Sequence, residues 1–384
     1  MKLKHLQRLP IHSPRLACPP LLLTFALLVA TDAIGQDDAS RLDRLWSRAE
    51  LFSSSSDSAV RSVALSGRFQ VDQANVDSGE QSFSDLDLRR FRAGVKVQFG
   101  AGLRLHTEAE FDPNGGNLGY TRLTDAYVAW SPGDAFELAV GKHGVAFTMD
   151  GQTSSKELLA IDRSNLTNNI WFTEEYIPGI SVGGEKSGFV YNAGVFSSGE
   201  RNRGFGERNG REFVLLTIGR DFSERLSANE ALLRFNYVDN EPDPTNSFTR
   251  PLEHVYSVNY SFEKDGWGIR SDVSRAEGYL GQSNLEGFMV MPFINLDHDF
   301  QVVTRFTYLE SDGPNGVRIG RYENAIVAGR GDEYSELYVG LNRYWHGHKL
   351  KIQTGLAYAD MNDSAADGGA YTGWSWTTGL RISW

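Results

Sequence analysis

Polar and apolar residues alternate along most of this chain. The alternation predicts strands over 62–73, 85–99, 102–112, 120–130, 136–143, 179–185, 189–197, 212–221, 228–239, 252–262, 267–276, 285–295, 299–310, 334–345, 349–361 and 371–384. The segments joining them are by turns long and short, and the longest is 144–178. A soluble sandwich has no reason to keep that rhythm. A transmembrane barrel has one, because its strands join through short periplasmic turns and longer extracellular loops. The pattern therefore predicts an all-β chain: a 16-stranded antiparallel transmembrane β-barrel with both termini on the periplasmic side and a third loop folded inward.

Alternation also sorts the two faces of the wall. Val63, Leu65, Phe69 and Val71 point one way, and Ser66, Arg68, Gln70 and Asp72 the other. Phe91, Ala93, Val95, Val97 and Phe99 oppose Arg90, Arg92, Lys96 and Gln98 in the same manner, and Leu103, Leu105, Ala109 and Phe111 oppose Arg104, His106, Glu108 and Glu110. Stretches 124–130, 179–185 and 212–221 alternate poorly. In the last strand Trp374, Trp376, Leu380, Ile382 and Trp384 share one face, the kind of pattern that barrel-assembly machinery reads. Trp130, Trp267, Trp345 and Trp384 sit beside expected short turns or in that last strand, where an interfacial girdle belongs.

Composition adds to this picture. Mean hydropathy is negative and no run reaches the 18 or so apolar residues of a spanning helix. Residues 21–30 are apolar but short, and follow Lys2, Lys4, Arg8 and Arg15, as in a secretory leader. The expected organisation is a signal peptide over 1–35, a short periplasmic helix and linker over 36–60, and a barrel over 61–384. Within 36–60, residues 40–52 predict the helix, with Leu42, Leu45, Trp46, Ala49 and Phe52 on one face. Cys18 is the sole cysteine and lies in the leader, so no disulfide holds the fold. Net charge is −11 for the whole chain and −14 without the leader, which excludes a nucleic-acid surface.

The patterned segments resemble a known family. LRRFRAGVKVQFG (88–100), TDAYVAW (124–130), AVGKHGVAF (139–147), TSSKELLAIDRSNL (153–166) and YVGLNRYWHGHKLKIQTGLAY (338–358) are similar to segments of the phosphate-selective porin O/P family. The resemblance implies a trimeric channel of the Gram-negative outer membrane that passes anions along lumenal arginines, with lysines near the constriction. It implies partners as well: small inorganic anions such as phosphate or polyphosphate-like ions, outer-membrane lipid and lipopolysaccharide, and the assembly machinery acting through the strand that ends in Trp384.

Read from the residues, Arg68, Arg90, Arg92, Lys96, Arg104, Lys351 and Arg381 face inward on strands that become neighbours when the sheet closes, forming one basic wall. Arg234, Arg270 and Arg305 are isolated inward charges elsewhere. A guanidinium fork suits phosphate or carboxylate, although Asp72, Glu108 and Glu110 offer internal partners. The long loop carries Asp150, Lys156, Glu157, Asp162 and Arg163, a mixed set that is expected to set a constriction opposite the wall. His346 and His348 flank a turn and make at most a weak metal pair, and no cofactor is implied. Three functions compete: an anion-passing or general diffusion porin, a barrel enzyme at the cell surface, and a barrel plugged by its own loop. No convincing catalytic triad supports the enzyme.

Overall fold

The computed structural model describes residues 36–54, 58–112, 114, 119–170, 175–197, 211–244, 250–296 and 299–384. The expected leader with Cys18, much of the Ser53–Ser56 linker and most of the Asp112–Asn117 loop lie outside these residues. In chain order the elements are α1 (Gln36–Ser47), β1 (Glu50–Ser53), β2 (Val60–Asp77), β3 (Ser82–Phe99), β4 (Leu103–Asp112), β5 (Gly119–Gly133), β6 (Phe136–Gly144), α2 (Met149–Gln152), α3 (Asn165–Ile170), β7 (Tyr176–Lys186) and β8 (Phe189–Ser197). They continue as β9 (Glu212–Asp221), α4 (Ser223–Leu226), β10 (Glu230–Asn240), β11 (Leu252–Lys264), β12 (Trp267–Gly278), β13 (Leu285–Asn295), β14 (Phe300–Ser311), β15 (Glu333–Tyr344), β16 (Leu350–Asn362) and β17 (Tyr371–Ser383).

Strands β2 to β17 pair antiparallel with their chain neighbours, and β17 returns to β2. The result is a closed 16-strand barrel. Closure matters because every backbone N–H and C=O at membrane depth then finds a partner. No helix among the described residues is long and apolar enough to cross a membrane. The strands carry the apolar belt instead: Val128, Val140, Ile218, Val258, Phe306 and Leu356 are exposed on the outside, while Ser66, Gln70, Asn236, Ser257, Asn259 and Thr307 are buried inside. This inversion of the usual inside and outside is what a lipid solvent and a polar lumen require.

Two irregularities explain where alternation misleads. Thr124 is an extra residue in β5, since Glu108 pairs with Asp125 and Ala109 with Leu123. Thr124 and Asp125 are therefore both buried, and Thr124 Oγ1 donates to the Glu108 carbonyl at 3.0 Å. In β3 a second bulge lies between the pairs Gln70–Arg90 and Asp72–Asp87. In β9 the cause is different. Val214, Leu216 and Ile218 face out, but Phe213 and Leu215 are buried on the inner face.

The expected helix over 40–52 needs correction. Helix α1 ends at Ser47, and Glu50–Ser53 form β1, which pairs with Ser62, Val63 and Ala64 of β2. The chain end pairs with β2 only down to Gly67, which exchanges backbone hydrogen bonds with Trp384, so the base of β2 has a free edge that β1 fills. Helix α1 lies beside it, with Trp46 Nε1 donating to the Ser383 carbonyl at 2.6 Å.

Candidate functional site

Residues 145–170, which follow β6, enter the barrel and occupy much of its lumen. Their apolar side chains Val145, Phe147, Met149, Ile161, Leu166 and Ile170 are buried in one cluster with inward residues of β8 to β15, among them Phe196, Phe213, Leu215, Met289 and Val303. This seat is the reason those strands carry apolar residues on both faces. Asp272 of β12 accepts the Met149 N–H at 2.5 Å. Thr148, just before it, takes a left-handed backbone (φ 62°) that a β-branched residue seldom adopts.

On the opposite side the loop lies against the basic wall. Arg68 donates to Ser155 Oγ, and the Gln70 amide to the Ser155 carbonyl at 2.9 Å. Lys351 Nζ donates to the Leu158 carbonyl at 2.7 Å, Gln353 Nε2 to Leu159 at 2.9 Å, and Arg381 to Ile161 at 3.2 Å. Near the turn end, Lys156 Nζ donates to the main-chain oxygen of Trp384 at 2.9 Å. The expectation that the loop stands opposite this wall is therefore corrected: it rests on the wall, because its carbonyls satisfy the cations' donors.

The wall's arginines are also paired with acids. Arg68 meets Glu108 at 3.1 Å, Arg92 meets Glu110 at 3.0 Å, Arg104 meets Glu137 at 3.1 Å, and Arg381 binds Asp72. Arg90 takes Gln70 at 2.9 Å and Glu175 at 3.4 Å. Lys96 lies on the same inner face but is exposed. Glu175 also takes Arg163 at 2.9 Å and Arg92 at 3.7 Å. Burial opposes its ionisation, but Arg163, Arg90 and Arg92 outweigh that and hold its carboxyl well below the usual carboxylate range.

The loop acids do not oppose Arg68, Arg90, Arg92 and Arg104 as expected. Asp150 accepts the Ser164 N–H at 2.7 Å, and its carbonyl accepts from Arg163 at 2.9 Å. Asp162 lies 3.7 Å from Arg89 and 4.0 Å from Arg321. Burial works against its charge, yet Arg89 and Arg321 depress its titration strongly. Glu157 is exposed toward open space at the turn end.

Residues 63–217 match the model of the family described as phosphate-selective porin O and P. The match spans β2 to β8 and most of β9. The chain is an outer-membrane porin. An anion-selective porin from Comamonas acidovorans shares its fold, with TM-score 0.59 and 13% identity over 84% of this chain and 99% of that one. OmpT of Vibrio cholerae in its trimer form gives 0.55 and 12%, covering 84% and 99%. The outer-membrane channel DcaP of Acinetobacter baumannii gives 0.56 and 12%, covering 87% and 99%. No curated protein matches the sequence.

Within the porin the loop divides the lumen. On the turn side lie a cavity of about 1060 Å³ and another of about 630 Å³, which share Ala146, Gln152 and Arg234 as lining residues. On its other side a space of about 60 Å³ remains between Asp162, Arg163, Arg305, Tyr322 and Glu336. At the outer mouth of the porin, sequence reasoning missed a group of arginines. Arg250 follows the loop after β10, and Arg318 and Arg330 belong to the long segment between β14 and β15. Arg250 Nε and Arg318 Nη1 are buried without a hydrogen-bond partner among the described residues. Burial lowers Arg250 to about 9, helped by the charges of Arg318 and Arg330, and lowers Arg318 to about 10, helped by Arg330. Arg89 was missed too, because the β3 bulge turns it inward beside Arg90. No periodic signal marks loop arginines, so the outer group was not legible in the pattern.

Proposed function

We propose that this porin passes small anions, phosphate among them, with weak to moderate preference through a water-filled route around its inner loop. The observation that carries this is the outer-mouth group Arg250, Arg318 and Arg330. The charges of Arg318 and Arg330 act on Arg250, and that of Arg330 on Arg318, with no carboxylate of the described residues acting on either. Like charges held together without an acid lower the local free energy of an anion, and buried unmet donors add to the attraction. The mixed character of the inner loop and the paired wall argue against tight phosphate binding.

The same reading includes assembly as a homotrimer, in keeping with the trimer form of one structural relative. It includes removal of residues 1–35 as a leader, contact with outer-membrane lipid and lipopolysaccharide, and insertion by assembly machinery that reads the strand ending in Trp384. The fold and family point to a channel rather than an enzyme. Planar-bilayer recording in a potassium chloride gradient tests the anion reading. The reversal potential is expected to have the sign for chloride permeation and to move toward zero in the Arg250→Gln, Arg318→Gln double variant. A cation sign in the unaltered porin overturns it in favour of a general diffusion porin without anion preference.

A further inference from the structure

The segment between β14 and β15, residues 312–332, folds back onto the inner loop from outside. Its two limbs are tied together, since Val317 and Gly331 exchange backbone hydrogen bonds at 2.8 and 3.0 Å. Residues 318–330 therefore form one closed flap. Val317 and Ile319 are buried in the same apolar cluster as Leu166 and Ile170 of the inner loop, and Tyr322, Ile326 and Val327 pack against it. Polar contacts fix the position. The Asn165 and Asn169 amides donate to the Arg318 carbonyl at 2.8 and 2.9 Å, and the Arg318 N–H donates to Asn169 Oδ1 at 2.8 Å. Arg321 lies 4.0 Å from Asp162, and the Tyr322 hydroxyl donates to Asp72 of β2 at 2.8 Å. The space left between flap, inner loop and wall is about 60 Å³, room for a few waters.

Two features weigh against this seat. One is like-charge repulsion, since Arg318 and Arg330 of the flap both act on Arg250. The other is Glu323, a partly buried carboxyl of the flap that lines the same small space. It accepts from Ser375 Oγ of β17 and has no ion pair with any described residue. Glu336 and Tyr334 of β15, Tyr371 of β17 and Asp162 of the inner loop are its other titratable neighbours. Arg305 of β14 is taken by Glu336 at 2.9 Å. Burial, with the charges of Glu336 and Asp162 behind it, raises the Glu323 carboxyl above its ordinary 4.5, although the Ser375 hydroxyl works against this. The seated flap thus prefers the neutral acid. Its contribution is complete below 4.5 and is lost as pH rises through the raised value. Acid tightens the seat.

We propose that residues 312–332 are a lid on the inner loop, seated in acid and loosened at neutral pH by the charge on Glu323, so that the porin narrows its outer entrance when its surroundings acidify. The proposal rests on the chain being a porin and is independent of its preference among ions. Tyr322 ties the lid to the wall and Asn169 ties it to the inner loop. Lifting it opens the space lined by Asp162, Arg163 and Arg305 to the outside.

The test uses full-length porin in planar bilayers, with the ratio of closed to open time measured at pH 7.5 and pH 4.5. In unaltered porin the ratio is expected to rise about tenfold on acidification, because each pH unit over which Glu323 ionises in only one state is a factor of ten in the seating equilibrium. Glu323→Gln is neutral at both pH values, so it should show the high ratio at pH 7.5 and no response to acid. Tyr322→Phe removes the tie to Asp72 without touching a carboxyl, so it should lower the ratio at both pH values and keep the response. Heat-modifiability on gels establishes that each variant is folded, and Tyr322→Phe carries the test if Glu323→Gln fails to assemble. Equal ratios at the two pH values in unaltered porin, an undiminished acid response in folded Glu323→Gln, or an unchanged ratio in Tyr322→Phe overturns the lid. The reversal potential of the same channels separates the two readings: an anion sign without the acid response defeats only the lid, and a cation sign with the response retained defeats only the anion preference.

Discussion

The two sides of this lumen hold the inner loop by different physics. Toward β2, β3, β16 and β17 the contact is polar: Arg68, Gln70, Lys351, Gln353 and Arg381 donate to Ser155, Leu158, Leu159 and Ile161. Toward β8 to β15 it is mostly apolar, with Phe147, Met149, Leu166 and Ile170 buried against the wall and fewer polar contacts, such as Asp272 with the Met149 N–H and Arg305 with the Asp162 carbonyl. Polar contacts specify position, because each donor needs its own acceptor. Apolar contacts supply most of the net attraction but tolerate small shifts. The difference shows why the count of lumenal arginines is a poor measure of selectivity. Where the loop rests on them they serve as its footing, and where it does not, as at Arg234, they face an open cavity.

Deleting residues 150–164 should break the comparison outright. It uncovers the wall and merges the spaces on either side of the loop, so single-channel conductance is expected to rise several-fold. Anion preference should strengthen at the same time. Unchanged conductance would place the limiting constriction elsewhere.

Glu175→Gln addresses the charge knot at the end of the loop, where Arg90, Arg92 and Arg163 share one carboxylate. Removing one partner of buried ion pairs costs about 3–5 kcal/mol, so the folded barrel should convert to its unfolded gel mobility at a lower temperature. The pH behaviour has a definite sign. The Glu175 carboxyl is depressed in the fold relative to its ordinary 4.5, so its contribution is present above that value. It is lost as pH falls through the depressed one, and unaltered porin should hold its loop at pH 5.

A smaller effect is expected from Lys156. Burial and Arg68 lower it to about 8 from an ordinary 10.5. The charged form therefore weighs against the seated loop below pH 8, and that penalty fades as pH rises from about 8 toward 10.5. Anion preference should decline between pH 7 and pH 9 in unaltered porin and stay flat in Lys156→Met, read as reversal potential against pH. The smallest effect belongs to the exposed pair Arg211–Glu241. Arg211→Ala should change thermal stability by less than about 0.5 kcal/mol and leave conductance alone. A large change there would mean that external pairs govern the channel.

Much of the wall was legible in the chain. Strands β8, β9 and β13 have the ends that alternation predicts, and Arg68, Arg90, Arg92, Arg104, Lys351 and Arg381 lie on the predicted inner face. Period two is a local property and survives folding. What alternation cannot carry is partnership. Arg68 and Glu108 are far apart in sequence and meet only when β2, β3 and β4 are in register. The inward Phe213 and Leu215 look like noise until the loop that covers them is in place. Arg89 shows the other failure, since one extra residue in a strand reverses the face of every later side chain. The outer-mouth arginines sit on irregular backbone, where no period exists to read.

The short strand β1 has a consequence for how the molecule is made. Had β17 alone closed the barrel, Ser62 to Ala64 of β2 would offer an unpaired ladder to any passing chain, the usual starting point for misassociation. Because β1 lies beneath Trp384 and α1 hangs from the Ser383 carbonyl, the segment finds its place only once the seam between first and last strands exists. The N-terminal strip therefore works as a seal applied after closure, and a barrel caught before that moment carries a sticky edge that a finished one has lost.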